Sequence, residues 1–382
     1  MIEKIQRVLR DDQNTFQTPC YVYDMETLQR NYAELRDTLG TGLVVSMKAN
    51  PQVDMLLRLG ANANGIEAAS LVELNMLIKT NGAQLFVNNP HMDRNLIRAG
   101  LGAKGRFIVD NLAQLHAIHE HGANRNIEPV LLRLNLSALK RFKPDIGKFR
   151  SDHFGMDWDD ACTAVDYIRT HSDKLKLGGL HLFSGSYTFN RAALDVAAAA
   201  PQMVAEIEAR YGDKLTMLNL GGGFSDNWRN EDFDFSTYRQ RLAELPSHLT
   251  LLHESGRGIF GSAGAFLTRV SNNKSIEQQH YTICDGGIAQ NFLLCQTENQ
   301  FRKPRAPHIF RPQGETPDAP QVAPLFVGSS CNRDDVIGQS AAPIAQPQIG
   351  DICIFDRCGA YNATYTVSKF LGLPEPHIYV IP

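Results

Sequence analysis

Val44-Val45-Ser46-Met47-Lys48-Ala49-Asn50-Pro51 carries an apolar strand straight into a turn, with a lysine where the strand stops. The chain that follows repeats the alternation. Short apolar runs at 43–47, 63–67, 84–88, 106–109, 129–135, 177–183, 215–220 and 249–254 read as strands. Amphipathic helices fit between them at 91–99, 111–121, 157–170, 190–210 and 235–244. A further helix at 26–38 precedes the first strand, with Leu28, Tyr32 and Leu35 on one face and Asp24 as its N-cap. Eight strands alternating with helices over roughly 210 residues predict an α/β (β/α)8 TIM barrel, a fold of about 250 residues. An open doubly wound sheet is the alternative reading of the same alternation.

Beyond residue 265 the texture changes. Tyr281-Thr-Ile-Cys284, Pro324-Leu-Phe-Val327 and Asp351-Ile-Cys-Ile-Phe355 are strand-like, with glycine and proline turns between them. A C-terminal all-β domain is expected, a β-sandwich or β-barrel of residues 1–23 plus 263–382 beside a barrel of residues 24–262. The stretch 302–324 holds six prolines and reads as a long loop.

Composition narrows the function classes. The 382 residues are 43% apolar and 21% charged, with a formal charge of −3, which gives no reason to expect nucleic acid or an acidic membrane as partner. No run approaches the ~20 apolar residues of a transmembrane helix. Met1-Ile-Glu-Lys-Ile-Gln-Arg7 is charged and lacks a signal-peptide core. The cysteines number seven, and no pair has zinc-site spacing. Reduced thiols, no metal and a cytoplasmic location are the expectation.

The residues with chemical potential stand where barrel active sites form, at the C-terminal ends of strands. Lys48 follows the first strand and His181 ends the sixth in His181-Leu-Phe-Ser184-Gly-Ser186. Gly221-Gly222-Gly223 follows the seventh, and Glu254-Ser-Gly-Arg257 ends the eighth. Taken singly each has a plainer role: a solvated loop cation, a core histidine, tight turns, an ion pair of Glu254 with Arg257. Ser70-Leu-Val-Glu73 has the spacing of a capping box, whereas Glu67 just before it sits at a strand end. In combination, a lysine, a flat imidazole, glycine loops whose bare N–H groups admit a phosphate, and a carboxylate are the parts that hold pyridoxal 5'-phosphate. A carboxylate at Glu254 keeps the pyridine nitrogen protonated and favours loss of carbon dioxide.

These motifs resemble the fold-type III pyridoxal-phosphate decarboxylases, the group that contains ornithine, diaminopimelate and carboxynorspermidine decarboxylases. The resemblance runs from Tyr21-Val-Tyr-Asp24 to Gly359-Ala-Tyr361. It implies an alanine racemase-like barrel with an appended β domain and a homodimer with shared active sites. It also implies that Lys48 bonds the cofactor aldehyde, His181 stacks on the ring and Glu254 meets its nitrogen. Ser184, Gly221, Gly222, Gly223, Arg257 and Tyr361 are implied for the phosphate, and Glu67 lies where the ornithine branch carries an aspartate near the cofactor. Ser329-Ser-Cys331-Asn-Arg-Asp-Asp335 is similar to an element in which the cysteine returns a proton to the decarboxylated carbon and the aspartate contacts substrate, both in the partner's site.

Two departures bear on substrate. Asn332 stands where the diaminopimelate branch has glutamate, and Asp285-Gly-Gly287 is followed by Ile-Ala-Gln290 without that branch's arginine and tyrosine. An arginine grips a distal carboxylate bidentately, so its loss removes a strong anchor. The shorter decarboxylases of siderophore pathways, which act on amino acids or their citryl conjugates, are the nearest branch by exclusion, with Asn332, Asp335 and Gln290 as expected substrate contacts. Decarboxylation of a free diamino acid (ornithine or lysine, diaminopimelate, carboxynorspermidine) is the alternative. A racemase of this fold places an arginine at the ring nitrogen, against which Glu254 argues. A non-catalytic cofactor carrier or regulator has no need of Lys48, Glu254 and Cys331 together.

Overall fold

Eight parallel strands close into a barrel in the computed structural model, which describes residues 1–60, 63–77, 83–146, 152–295, 304–315 and 318–382. Strand β1 (Cys20–Asp24) belongs to a second sheet. The barrel strands are β2 (Gly42–Ser46), β3 (Gly65–Ala68), β4 (Leu85–Val87), β5 (Arg106–Val109), β6 (Val130–Leu134), β7 (Leu177–Leu182), β8 (Met217–Asn219) and β9 (Thr250–Ser255). β9 pairs in parallel with β2, Glu254 opposite Val44, so the sheet has no free edge and the open doubly wound alternative is excluded.

The expected helices lie at Met25–Leu39, Arg94–Gly102, Leu112–Gly122, Trp158–Thr170, Phe189–Tyr211 and Phe235–Leu242. Asp93, Asn111, Asp157 and Asp234 start four of them by accepting first-turn amides through their side chains. Asp24 accepts from the backbone of Thr27, as a cap does, and also takes the Thr27 hydroxyl at 2.7 Å. At the helix Leu71–Leu77, Glu73 N–H donates to Ser70 Oγ at 3.1 Å. The Glu73 carboxylate reaches back to Ala69 N–H rather than that of Ser70, one residue short of a true capping box.

The barrel interior explains where the polar residues go. Side chains on a strand alternate between faces, so positions two apart look the same way. Val44, Phe86, Ile108, Leu131, Met217 and Leu252 form one buried apolar cluster. Two residues further along the same strands come Ser46, Asn88, Asp110, Arg133, Asn219 and Glu254, all buried. On β3 and β7 the lower positions are Gly65 and Gly179, and the upper ones Glu67 and His181. A methyl group on Gly65 would come within 2.7 Å of the Phe86 ring, and one on Gly179 within 1.9 Å of Met217 O. These strands therefore stay bare where their neighbours are bulky. The result is an apolar floor beneath a polar ring at the C-terminal mouth.

His253, on the opposite side of β9, is fully buried between two hydroxyls: Thr41 Oγ1 at 2.8 Å from Nδ1 and Tyr238 OH at 2.7 Å from Nε2. Burial pushes its pKa down from 6.5 to about 3. The unfolded chain then binds a proton that the folded one refuses, so stability is lost as pH falls below about 6.5 and continues to fall toward about pH 3. The expected loss by pH 5 is about 2 kcal/mol relative to neutrality. Urea unfolding at both pH values checks it, with His253→Gln expected to remove that part of the slope.

Packing divides the chain into two units, Tyr32–Gly258, and Met1–Asn31 with Ile259–Pro382. In the second, β1 runs antiparallel to the long strand Gly264–Ile276 and parallel to His377–Ile381. Gly264–Ile276 also pairs with Gln279–Cys284 and Ile352–Phe355, and Pro324–Val327 and Val336–Gln339 continue the sheet. Ile5, Leu9, Phe16, Val22, Leu267 and Ile354 lie in its core. The expected long loop at 302–324 is corrected in its described part by short strands at His308–Phe310 and Gln321–Val322, which pair with Ile352–Phe355 and Ile344–Ala345. Residues 302, 303, 316 and 317 lie outside the described residues. No described helix is long and apolar enough to cross a membrane.

Candidate active site

Lys48 leaves β2 in a single turn of 3-10 helix, Met47–Ala49, and its Nζ donates to Glu67 Oε1 at 3.0 Å. Glu67 Oε2 in turn accepts from Asn88 Nδ2 at 2.8 Å. Beyond Asn88 the contacts continue through Arg133, whose Nη1 lies 3.4 Å from Asn88 Oδ1 and 3.3 Å from Asp110 Oδ1. The guanidinium sits 4.5 Å from the Phe154 ring centroid and 5.9 Å from that of Phe183. Asn88, Asp110 and Arg133 were not among the residues singled out from sequence. Asn88 and Asp110 directly follow apolar runs and Arg133 lies inside one, each two places after an inward-facing residue, and that period was the signal available.

Across the mouth, Glu254 Oε1 accepts from His181 Nε2 at 3.1 Å and from Asn219 Nδ2 at 2.8 Å. Asn219, also unanticipated, uses its other end to accept Gly221 N–H at 2.9 Å and so ties the carboxylate to the glycine turn. One ligand atom each of Glu67, His181 and Glu254 lies within 4.8 Å of the others, so the two halves of the ring meet. Burial alone would raise the Glu254 carboxyl, but His181 and Lys48 with the hydrogen bonds outweigh it and bring the pKa down to about 2. Glu67 goes the other way, raised first by burial and then by the negative charge of Glu254. One carboxylate is thus held ionised beside another biased toward its neutral acid.

Glycine is required at 221–223. Gly221 and Gly223 have φ of +67° and +97°, and a Cβ on Gly221, Gly222 or Gly223 would lie 2.1, 2.3 or 2.4 Å from the carbonyl oxygens of Leu182, Glu254 and Gly185. The triplet is a close-packed turn of bare backbone. Ser184 Oγ pairs with Thr188 Oγ1 at 2.8 Å, and the Arg257 Cζ lies 4.6 Å from the Tyr187 ring centroid.

These residues fit pyridoxal phosphate on the structure's own terms. An amine stands against a carboxylate, a second buried carboxylate is held ionised, and bare backbone forms a turn beside hydroxyls and a guanidinium. His181 Nδ1 is buried with no hydrogen-bond partner among the described residues, an orphaned polar atom within the same ring of side chains.

In the second unit, Cys331 is exposed at the start of the turn Cys331–Asp335. Asn332 accepts Asp334 N–H at 2.9 Å through its side-chain oxygen and shapes that turn. Tyr361 has φ +68°, and its carbonyl accepts the amides of Thr364 and Tyr365. Two expected substrate contacts, Asp335 and Gln290, are buried and hydrogen-bonded within the chain. Asp335 is 3% exposed and accepts from Ile288 N–H, Ser330 N–H and Ser330 Oγ at 2.7, 3.1 and 2.6 Å, with Gly287 and Gly328 bare against it. It pins the Cys331 turn to residues 287–288. Gln290 is 1% exposed, with Oε1 on Gly287 N–H at 3.0 Å and Nε2 on Pro374 O at 2.8 Å. Both ends of its amide are spent inside the protein.

Against known proteins, residues 25–261 match the family described as "Pyridoxal-dependent decarboxylase, pyridoxal binding domain". The chain is 27% identical over 381 residues to a diaminopimelate decarboxylase of Deinococcus radiodurans, covering 96% of this chain and 91% of that one. It is 23% identical over 374 residues to the 2-[(L-alanin-3-ylcarbamoyl)methyl]-2-hydroxybutanedioate decarboxylase of Staphylococcus aureus, covering 93% and 92%. In fold it is similar to a lysine/ornithine decarboxylase of Vibrio vulnificus crystallised with putrescine, at a TM-score of 0.80 and 20% identity over 99% and 98% of the two chains.

Proposed function

This chain belongs to the pyridoxal-dependent decarboxylases, and from that premise we propose that it removes the α-carboxylate of an amino acid whose side chain carries a citryl-type conjugate, as in siderophore assembly. The observation that carries the substrate reading is the segment after Asp285-Gly286-Gly287. Ile288, Ala289 and Gln290 are all buried, and none offers a cation to a distal carboxylate. Beside Cys331, the neutral Asn332 stands where a carboxylate would grip a second ammonium. Asn332 suits a side-chain end that carries no second ammonium, and the segment 288–290 lacks the arginine expected for free diaminopimelate, so the carboxylates of a citryl end would be met by other residues. The name of the Staphylococcus aureus relative supports the same class, since it describes alanine linked through a carbamoyl group to a hydroxy-dicarboxylate.

The chemistry that bound pyridoxal phosphate supplies is a sink for the electron pair left when carbon dioxide departs. The remaining work falls to side chains. Lys48 would hold the cofactor by its aldehyde and act again when the amine product leaves. Glu254, ionised and fixed by His181 and Asn219, would hold a proton on the ring nitrogen, and the His181 imidazole would pack on the ring. Gly221, Gly222, Gly223, Ser184, Arg257 and Tyr361 would hold the phosphate. Glu67 keeps Lys48 oriented through their 3.0 Å contact. Cys331, on an exposed turn, serves the active site of a second copy in a homodimer, where its thiol returns a proton to the carbon that lost its carboxylate.

A second reading rests on the Deinococcus radiodurans relative: decarboxylation of free diaminopimelate, or of ornithine or lysine. Carbon dioxide release from cofactor-loaded protein separates the two. The panel comprises ornithine, lysine, meso-diaminopimelate, carboxynorspermidine, serine, 2,3-diaminopropionate, 2,4-diaminobutyrate and citryl conjugates of the last three. Turnover confined to the conjugates is expected; efficient turnover of a free diamino acid sinks the conjugate reading.

A further inference from the structure

Residues 184–188, between β7 and the helix Phe189–Tyr211, ride on the glycine triplet. Thr188 Oγ1 donates to Gly185 O at 2.7 Å, and Phe189 N–H reaches Gly223 O at 3.4 Å. Within this loop Tyr187 has φ +60°, a conformation that costs any residue with a Cβ and that glycine or asparagine accepts more readily. Burial does not offset the cost, because Tyr187 is 44% exposed. The contact of its ring that accompanies the strain is with Arg257, whose guanidinium carbon lies 4.6 Å from the centroid.

We propose that Tyr187 is a positioning residue for the cofactor phosphate: its strained backbone holds the ring over Arg257 and fixes the guanidinium plane. A ring whose centroid lies 4.6 Å from the guanidinium carbon backs one side of the group and leaves N–H donors for a phosphate, which arginine binds by two parallel hydrogen bonds. Strained residues gather where surrounding structure holds a functional group in place, and the triplet beneath this loop is such a support. The inference rests on the assignment of Arg257 to the phosphate.

The test compares pyridoxal phosphate with pyridoxal, which lacks the phosphate, by quenching of protein fluorescence in cofactor-stripped wild type, Tyr187→Ala, Tyr187→Phe and Arg257→Gln. Tyr187→Ala is expected to weaken pyridoxal phosphate about tenfold and leave pyridoxal unchanged. Tyr187→Phe, which keeps the ring, should match wild type. Equal weakening of both ligands by Tyr187→Ala, or no weakening, overturns the proposal. If Arg257→Gln fails to reduce the preference for the phosphorylated ligand, the Arg257 assignment falls and the proposal with it. If Arg257→Gln reduces the preference and Tyr187→Ala does not, only the role of Tyr187 is lost.

Discussion

Replacing Lys48 with alanine is expected to lower carbon dioxide release by at least about 10⁴-fold, the largest effect of any single change in this protein. Two functions leave with the side chain. Nζ stands at the end of β2 against Glu67, so on the proposed reading the cofactor loses its covalent anchor, and the group that moves protons during exchange with substrate is gone. Lys48→Arg isolates the covalent part. A guanidinium can still meet Glu67, which accepts Nζ at 3.0 Å, but it stays protonated and is a poor nucleophile. Both variants should therefore lack turnover, with Lys48→Arg the more stable fold because a buried Glu67 keeps a partner. Borohydride treatment of loaded protein followed by peptide mass measurement checks the assignment. The Lys48 peptide should gain the reduced cofactor in wild type, and neither variant should gain it. Near-normal carbon dioxide release by Lys48→Ala would refute the role.

The barrel was legible because burial in a closed parallel sheet leaves a repeated signal. Runs such as Val130–Leu134 and Leu177–Leu182 are buried throughout, and the helices between them are capped by side chains that the sequence displays. The motif residues Lys48, His181, Gly221–Gly223 and Glu254 were legible for a related reason, since strand ends at one face of a barrel converge. Asn88, Asp110, Arg133 and Asn219 escaped because no motif marks them. Their meaning lies in the register between strands, which sets His181 opposite both Arg133 and Asn219. Asp335 and Gln290 show the limit from the other side. A carboxylate four residues after Cys331 and an amide just after Gly286-Gly287 look available in sequence, but hydrogen bonds to Ile288, Ser330, Gly287 and Pro374 engage them, and the partners of a buried polar group are fixed only by the fold.

Glu254→Gln is expected to lower carbon dioxide release by about 10²–10³-fold while changing cofactor affinity less than about tenfold. Glutamine keeps the shape and can still accept from Asn219 and His181, so the ring of side chains stays packed and only the charge leaves. The carboxylate is held ionised with a pKa of about 2 although it is buried, so across the working pH range the loss is of a full negative charge in a site that water screens poorly. Without it, nothing holds the proton on the ring nitrogen, and the electron pair released with carbon dioxide has a weaker sink. A second consequence distinguishes this role from a structural one. The Glu67 carboxyl is raised first by burial and then by the charge of Glu254, so removing that charge lowers it. In Glu254→Gln, Glu67 remains ionised to lower pH, its contact with Lys48 persists further into acid, and the acid limb of the pH–rate profile moves down. Measuring carbon dioxide release from pH 5 to 9 in wild type, Glu254→Gln and Glu67→Gln tests both parts. A rate drop with the limb displaced fits a charge acting on ring and neighbour together. Wild-type turnover in Glu254→Gln would return Glu254 to the lesser task of holding His181 in place.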